Sequence, residues 1–129
     1  MEPKNKAIKE RNLSSVYNSE PAIYSQNYYN YLNSLINKID HMQVKGLIEQ
    51  LLIAREKESN IYFIGNGGSA STCTHFANDI TIGTLSFSKP FKAISLTDNQ
   101  AIITAIGNDY GFENVFIRQL ENYGKKGDL

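Results

Sequence analysis

Cysteine is nearly missing. The 129 residues hold one, Cys73, which excludes an internal disulfide framework and offers no CxxC or zinc-knuckle spacing. Neither charge is in excess: thirteen basic side chains balance thirteen acidic ones and the pI is about 6.7. No global field therefore draws the protein onto nucleic acid or an anionic membrane. Long apolar runs are absent too, none approaching the roughly 20 residues of a spanning helix. Met1 to Glu10 lacks the apolar stretch of a signal peptide. What is there is an ordinary soluble composition, 41% hydrophobic and 20% charged. At 14.5 kDa the chain suits one domain, is too short for two ordinary ones, and can bury roughly two thirds of its unfolded surface. The composition reads as a soluble, cytoplasmic α/β protein.

Residues 1–20 are polar and mixed in charge, which reads as a mobile N-terminal arm. Glu2, Glu10 and Glu20 dilute its lysines and argue against a basic nucleic-acid arm. From Pro21 the pattern becomes helical. Tyr24, Tyr28, Leu32, Leu35, Ile36 and Ile39 recur at three and four residues on one face, and Pro21 suits a first helical turn. A second helix is predicted from Gln43 to Lys57, with Val44, Leu47, Ile48, Leu51 and Leu52 on its apolar face. His41 falls between the two as a solvated turn residue. The cluster Tyr28, Tyr29 and Tyr31 reads as core or subunit contact. Both helices precede the first strand, so neither is a crossover; they cover the sheet or pack on a partner subunit.

The register changes at Ile61. Ile61-Tyr62-Phe63-Ile64 is a short apolar, β-branched and aromatic run, the mark of a buried strand. Gly65 to Gly68 is a turn, and a helix is predicted from Ser69 to about Ile80. A looser stretch from Thr81 to Pro90 leads to a second strand, Lys92 to Leu96. Asp98 or Asn99 can cap a helix over Gln100 to Ile106. Gly107 to Gly111 reads as a turn, and Phe112 to Tyr123 as an amphipathic helix with Val115, Phe116 and Leu120 inward. Strands alternating with helices imply a doubly wound parallel sheet. Gly-Lys-Lys-Gly-Asp after a helix introduces a further strand, and two parallel strands make a poor sheet alone. The chain therefore reads as the N-terminal part of something longer.

The strand-turn-helix over Ile61 to Ile80 carries the chemistry. Its glycines let backbone approach a ligand, and the new helix aims N–H groups and its positive dipole end at that space. Asn66 and Ser69 add side-chain donors and acceptors, so Asn66, Gly67, Gly68 and Ser69 are candidate binding residues for a phosphate or phosphosugar. Glycine turns after strands also serve packing alone. No Gly-Lys-Ser/Thr follows, which excludes a P-loop. Gly65, Gly67 and Ala70 satisfy the permissive dinucleotide fingerprint, yet the acidic residue expected about 20 positions on is missing. That disfavours a nicotinamide-dependent oxidoreductase.

His75 and Asp79 stand four residues apart, on one face of the same helix. Such a pair could share a metal, move protons on a substrate held at the loop, or simply form a surface hydrogen bond. Cys73 points off this face and reads as a small core residue.

Three segments in order, Gly65-Asn66-Gly67-Gly68-Ser69-Ala70 with His75-Phe76-Ala77, then Ser95-Leu96-Thr97-Asp98, then Gly107-Asn108-Asp109-Tyr110-Gly111, resemble the phosphoheptose isomerase branch of the SIS (sugar isomerase) domain family. The resemblance covers residues 21–129 as the N-terminal part of one SIS domain. It implies a flavodoxin-like parallel sheet sandwiched by helices, and leading helices that build a homotetramer. It also implies an aldose–ketose isomerase converting sedoheptulose 7-phosphate to D-glycero-D-manno-heptose 7-phosphate, a lipopolysaccharide precursor. Substrate contacts are implied at Asn66, Gly67, Gly68, Asn108 and Asp109. Zinc is implied as cofactor, with His75 a ligand and Asp79 both ligand and catalytic acid/base.

Two departures stand out. Asp79 occupies a position where the family usually has glutamate, and is one methylene shorter. The family's Ser-rich phosphate loop and its later glutamine and histidine do not appear within these residues. The resemblance therefore implies that this chain alone is inactive. It also leaves a second reading, a non-catalytic SIS protein that binds a phosphosugar or a partner such as a replication initiator.

Overall fold

A computed structural model describes residues 13–129, and most of the expected N-terminal arm lies outside them. The described chain falls into two units, one ending at His41 and the other running from Met42 to Leu129.

In the first unit, residues 13–20 make a turn in which Val16 is buried. The Val16 carbonyl accepts from Asn27 Nδ2 at 3.3 Å. Helix α1 spans Pro21–Ile36, capped by Glu20, whose side chain accepts from the Ala22 N–H, with proline in the first turn. The apolar spacing continues to Ile39, but the helix does not. Lys38 and Ile39 donate to Leu35 and Ile36 three residues back, tightening the end into a turn. No α1 residue is buried. The tyrosines read as core or subunit contact are exposed in this chain, with the Tyr24 ring between those of Tyr17 and Tyr28 at 6.0 and 6.2 Å.

The second unit is built on β1 (Asn60–Phe63) and β2 (Lys92–Ser95), paired parallel from Asn60↔Lys92 to Phe63↔Ser95. Helix α2 (His41–Glu56) leads in, so His41 opens a helix rather than sitting in a turn. Only Leu51 and Ala54 of α2 are buried. They meet Ile61, Ile80 and Phe91 in the core, with Phe63 and Ala93 beside it. The remaining apolar positions of α2, Val44, Leu47, Ile48 and Leu52 among them, are exposed.

Helix α3 (Gly68–Asn78) crosses from β1 to β2 and widens at its end into a π-helical turn, Asp79–Gly83. Ile80 is pulled into the core, and Thr81 Oγ1 donates to the Ala93 carbonyl at 3.1 Å. These two anchors rotate the chain off the α-helical path that sequence periodicity predicts through Ile80.

Helix α4 (Gln100–Tyr110) is longer than expected, because the chain leaves it at Gly111 and not at Gly107. Asn99, not Asp98, is its cap, accepting from the Ile102 N–H at 3.1 Å. A 3₁₀ turn (Phe112–Asn114) then separates α4 from α5 (Ile117–Tyr123), so the expected single helix from Phe112 is broken. Val115 is buried as expected, and so is Gln119.

Because successive residues of a strand face opposite ways, Ile61 and Phe63 point into the α2 core while Tyr62 faces α4 and α5. The result is an α/β layering. The last residue adds to it: Leu129 N–H donates to the Asn60 carbonyl at 2.9 Å, and Tyr62 N–H donates to the Leu129 carbonyl at 2.8 Å. Leu129 thus forms a parallel rung on the edge of β1 opposite β2. Its neighbour Asp128 fastens this rung. Asp128 Oδ1 accepts from the Asn60 N–H at 2.9 Å, and Oδ2 accepts from the Lys125 N–H at 2.9 Å and from Asn60 Nδ2 at 3.3 Å. Partial burial raises the Asp128 pKa, but these hydrogen bonds and the Lys125 charge outweigh it and hold the carboxyl below its usual range.

Candidate functional site

The chain passes β2, returns to the far side of β1, and so reverses its lateral direction at β1. Ligands of open parallel sheets bind at the carboxyl end of the strand where this reversal occurs. Gly65 to Gly68 lies there. A Cβ on Gly65 would stand 2.8 Å from the Ser69 carbonyl carbon and oxygen and 2.9 Å from Ser69 Cβ. Helix α3 therefore starts hard against the end of β1 only because residue 65 has no side chain. Gly67, at φ 56° and ψ −125°, takes the first central position of a type II′ turn. That turn is closed by Ser69 N–H donating to the Asn66 carbonyl at 3.1 Å. No side chain caps α3, so its leading end is left for polar or anionic groups. Asn66, Gly67, Gly68 and Ser69 are all exposed around this turn.

A hydroxyl network holds α3 to the end of β2. Thr97 Oγ1 lies 3.3 Å from the Ala70 carbonyl and 2.6 Å from the Oγ of buried Ser95. Thr74 Oγ1 donates to Asp98 Oδ1 at 2.5 Å. Sequence reading gave Asp98 a capping role and missed this network. Its signal was the run of hydroxyl and carboxyl groups, Ser95, Thr97 and Asp98, directly after a strand. On the β1 side, Phe76 packs on Phe63 with ring centroids 4.8 Å apart.

His75 and Asp79 project from the solvent side of α3, Nε2 to Oδ2 at 3.3 Å, with their side chains 78% and 53% exposed. With Ser71, Thr72 and Phe76 they line a shallow depression of about 390 Å³. Asp79 is the first residue of the π turn, so its backbone is fixed by Ile80 and Thr81, while its exposed carboxylate meets His75 through Oδ2 and accepts from Asn78 Nδ2 at 3.4 Å through Oδ1. Cys73 is half-buried.

An imidazole and a carboxylate are suitable zinc donors, but they are two. Among the described residues no group of three or more His, Cys, Asp or Glu side chains could hold a metal ion. The donor types fit zinc, and the two of them make half of a four-coordinate set.

Asn108 and Asp109, expected in a turn, ride on the last residues of α4 and are exposed. Asn108 Nδ2 donates to Asp109 Oδ1 at 2.7 Å. Among the described residues, no hydrogen bond or ion pair joins them to the glycine turn or to the His75–Asp79 pair. The structure thus brings Asn66 to Ser69, His75 and Asp79 onto one turn and helix, and places Asn108 and Asp109 on α4.

A glycine turn at the reversal point of a parallel sheet, followed by a helix carrying an outward His/Asp pair, makes this an α/β fold with its candidate site at the carboxyl end of β1. No protein-family model matches the sequence. Individual proteins do. The chain is 47% identical over 91 residues to the phosphoheptose isomerase of Akkermansia muciniphila, covering 70% of this chain and 46% of that protein. It is 37% identical over 87 residues to the phosphoheptose isomerase of Clostridium acetobutylicum, covering 67% and 44%. The structure of phosphoheptose isomerase from Neisseria gonorrhoeae superposes with a TM-score of 0.55 at 33% identity, over 81% of this chain and 56% of that one. Over about two thirds of its length the chain is similar to phosphoheptose isomerases, and it spans about half the length of the curated relatives it matches.

Proposed function

We propose that this chain supplies the loop and proton-transfer portion of an aldose–ketose isomerase. The reaction interconverts sedoheptulose 7-phosphate and D-glycero-D-manno-heptose 7-phosphate. The observation that carries this reading is the outward His75–Asp79 pair on the helix that starts at the glycine turn, in a chain so similar to phosphoheptose isomerases.

The isomerisation moves one proton between neighbouring carbons. A base removes the proton from the carbon beside the carbonyl, the carbonyl oxygen gains a proton, and an enediol forms. Return of a proton to the former carbonyl carbon, with loss of the neighbouring hydroxyl proton, completes the exchange. Asp79 is the proposed base. Its side chain is 53% exposed, which lets a substrate held at the glycine turn approach the carboxylate from solvent. His75, within 3.3 Å of it, orients that carboxylate and holds or donates the proton that the carbonyl oxygen needs. Asn66 to Ser69 receive the sugar's hydroxyls through backbone N–H groups and side-chain amide and hydroxyl.

Zinc belongs to the same proposal: His75 and Asp79 would donate one nitrogen and one oxygen, and the remaining ligands would come from outside the described residues. A bound zinc would polarise the substrate carbonyl. The homotetramer, the cytoplasmic location and the lipopolysaccharide-precursor role are likewise proposed. The exposed apolar positions of α1 and of α2 support association. Among the described residues no helix is long and apolar enough to cross a membrane.

The test is to titrate the 129-residue chain with sedoheptulose 7-phosphate while following amide resonances of Gly65 to Ser69 and assaying turnover. These resonances should shift without turnover. Conversion by this chain would refute the claim that it holds only part of the machinery; no shift at the turn would refute the substrate. One observation favours a second reading: the base is an aspartate, one methylene shorter than a glutamate, and it is engaged by His75. A non-catalytic phosphosugar-binding protein would keep binding after Asp79→Asn and have no turnover to lose in a version extended to its relatives' length.

A further inference from the structure

Away from the glycine turn, on the sheet face that carries Tyr62, a second cleft of about 480 Å³ opens between the sheet, α4 and α5. Its volume lies in the range of small-molecule sites. Tyr62, Ile94, Ile102 and Tyr123 give it apolar and aromatic walls; Lys125 adds a cation, and Asp98, whose Oδ1 is already taken by Thr74, a carboxylate. Gln119 gives it direction. That residue is 3% exposed, and its Nε2 donates to two backbone carbonyls, Leu96 at 3.1 Å and Val115 at 2.9 Å. Both amide hydrogens are therefore committed, which fixes the orientation of the group and leaves Oε1 facing away from those carbonyls. Oε1 accepts no hydrogen bond among the described residues. Yet among them no fully buried side-chain oxygen or nitrogen lacks a partner, so Oε1 must be reached from the cleft that Gln119 lines.

An oriented acceptor at the back, aromatic and branched aliphatic walls, and one cation together select a planar ring with an N–H donor and an anionic group. We propose that this cleft binds a nucleoside monophosphate, its base against Tyr62 and Ile102 with an N–H donated to Gln119 Oε1, and its phosphate toward Lys125. The site is separate from the proposed isomerase site and does not depend on that activity. The chemistry is recognition only: no bond is made or broken.

The probe is AMP, titrated into the 129-residue chain with side-chain amide and tyrosine ring resonances followed by NMR. The Gln119 side-chain amide and the Tyr62 and Tyr123 rings should shift along one saturable curve, with Kd on the order of 0.1 mM. Ribose 5-phosphate, which has the phosphate and no base, should leave the Gln119 amide unmoved. Ile102→Trp fills the cleft from α4 and Ile94→Trp from the edge of β2, so if one variant misfolds the other still reports. Either should weaken AMP binding about tenfold or more. Shifts confined to Gly65 to Ser69 would place AMP at the glycine turn and overturn the proposal. So would affinity unchanged in a folded tryptophan variant, or no shift at millimolar AMP.

Discussion

Replacing Gly65 by alanine tests the join between strand and helix on which the candidate site stands. The new Cβ would lie 2.8 Å from the Ser69 carbonyl carbon and oxygen, whereas carbon contacts become favourable only at about 3.5 Å. Helix α3 would have to retreat by roughly 0.7 Å. The obstructing atoms are backbone, so no rotamer change relieves the overlap. Retreat is opposed by the Thr97 contact with the Ala70 carbonyl, by the Thr74–Asp98 hydrogen bond and by the packing of Phe76 on Phe63. Overpacking of this kind costs about 1–3 kcal/mol. With a urea dependence of about 1–2 kcal/mol per molar, the unfolding midpoint should fall by roughly 1 M. Far-UV circular dichroism across a urea series measures it. Gly67→Ala is the companion variant: nothing lies within 4 Å of its Cβ, but its φ of +56° is strained for any L side chain. It should cost about 1–3 kcal/mol through torsion alone. A midpoint for Gly65→Ala equal to the parent's would show that α3 does not start against β1 as described.

Four further outcomes are expected. Asp128→Asn keeps the shape of the side chain but leaves one of the Asn60 and Lys125 N–H donors facing an amide NH₂, and should destabilise by about 1 kcal/mol given its partial exposure. Because the folded pKa of Asp128 is depressed, its contribution is full above the unfolded value of about 3.9 and lost as pH falls through the folded pKa. The parent should therefore lose stability on acidification below about pH 4 more steeply than Asp128→Asn, and parallel profiles would contradict this. Gln119→Leu removes the donor to the buried Leu96 and Val115 carbonyls and should cost about 2 kcal/mol by thermal denaturation; an unchanged melting temperature would refute that buried role. Thr97→Val keeps volume but cuts the hydroxyl link between β2 and α3, so hydrogen exchange at the first turn of α3 should accelerate while the core of β1 stays protected. Asp79→Asn should leave the unfolding free energy from a urea series within about 0.5 kcal/mol of the parent's, since the carboxylate is exposed, and a large loss would assign it a structural role instead.

The parts of the fold written in local chemistry were legible in the sequence. The short apolar run at Ile61, the glycine turn and the helix after it need only neighbouring residues to specify them, and the i, i+4 spacing places His75 beside Asp79 without tertiary information. Boundaries set by distant partners were not legible. The end of α3 depends on Ile80 reaching a core that includes Leu51 and Phe91, which no local pattern announces. Gly107 looks like a helix breaker, yet α4 runs through it. Gln119 looks like an exposed polar position of an amphipathic helix, until the Leu96 carbonyl, 23 residues away, draws it inside. The tyrosines of α1 show the reverse case. Their periodicity is that of a core face, and among the described residues of the first unit nothing buries them.

The rung between Leu129 and β1 has a consequence for synthesis. Asn60 and Asp128, which fasten it, are separated by 68 positions. At roughly 5–20 residues per second, a ribosome needs about 3–14 s to deliver the second after the first. Throughout that interval the outer edge of β1 is a row of unpaired backbone donors and acceptors on an apolar strand, Ile61-Tyr62-Phe63-Ile64. Such an edge is a template for pairing with another nascent chain. Copies of this chain synthesised side by side on one message are therefore most vulnerable to misassembly between the emergence of residue 60 and that of residue 129, and slowing translation within that window should raise aggregation more than slowing it elsewhere.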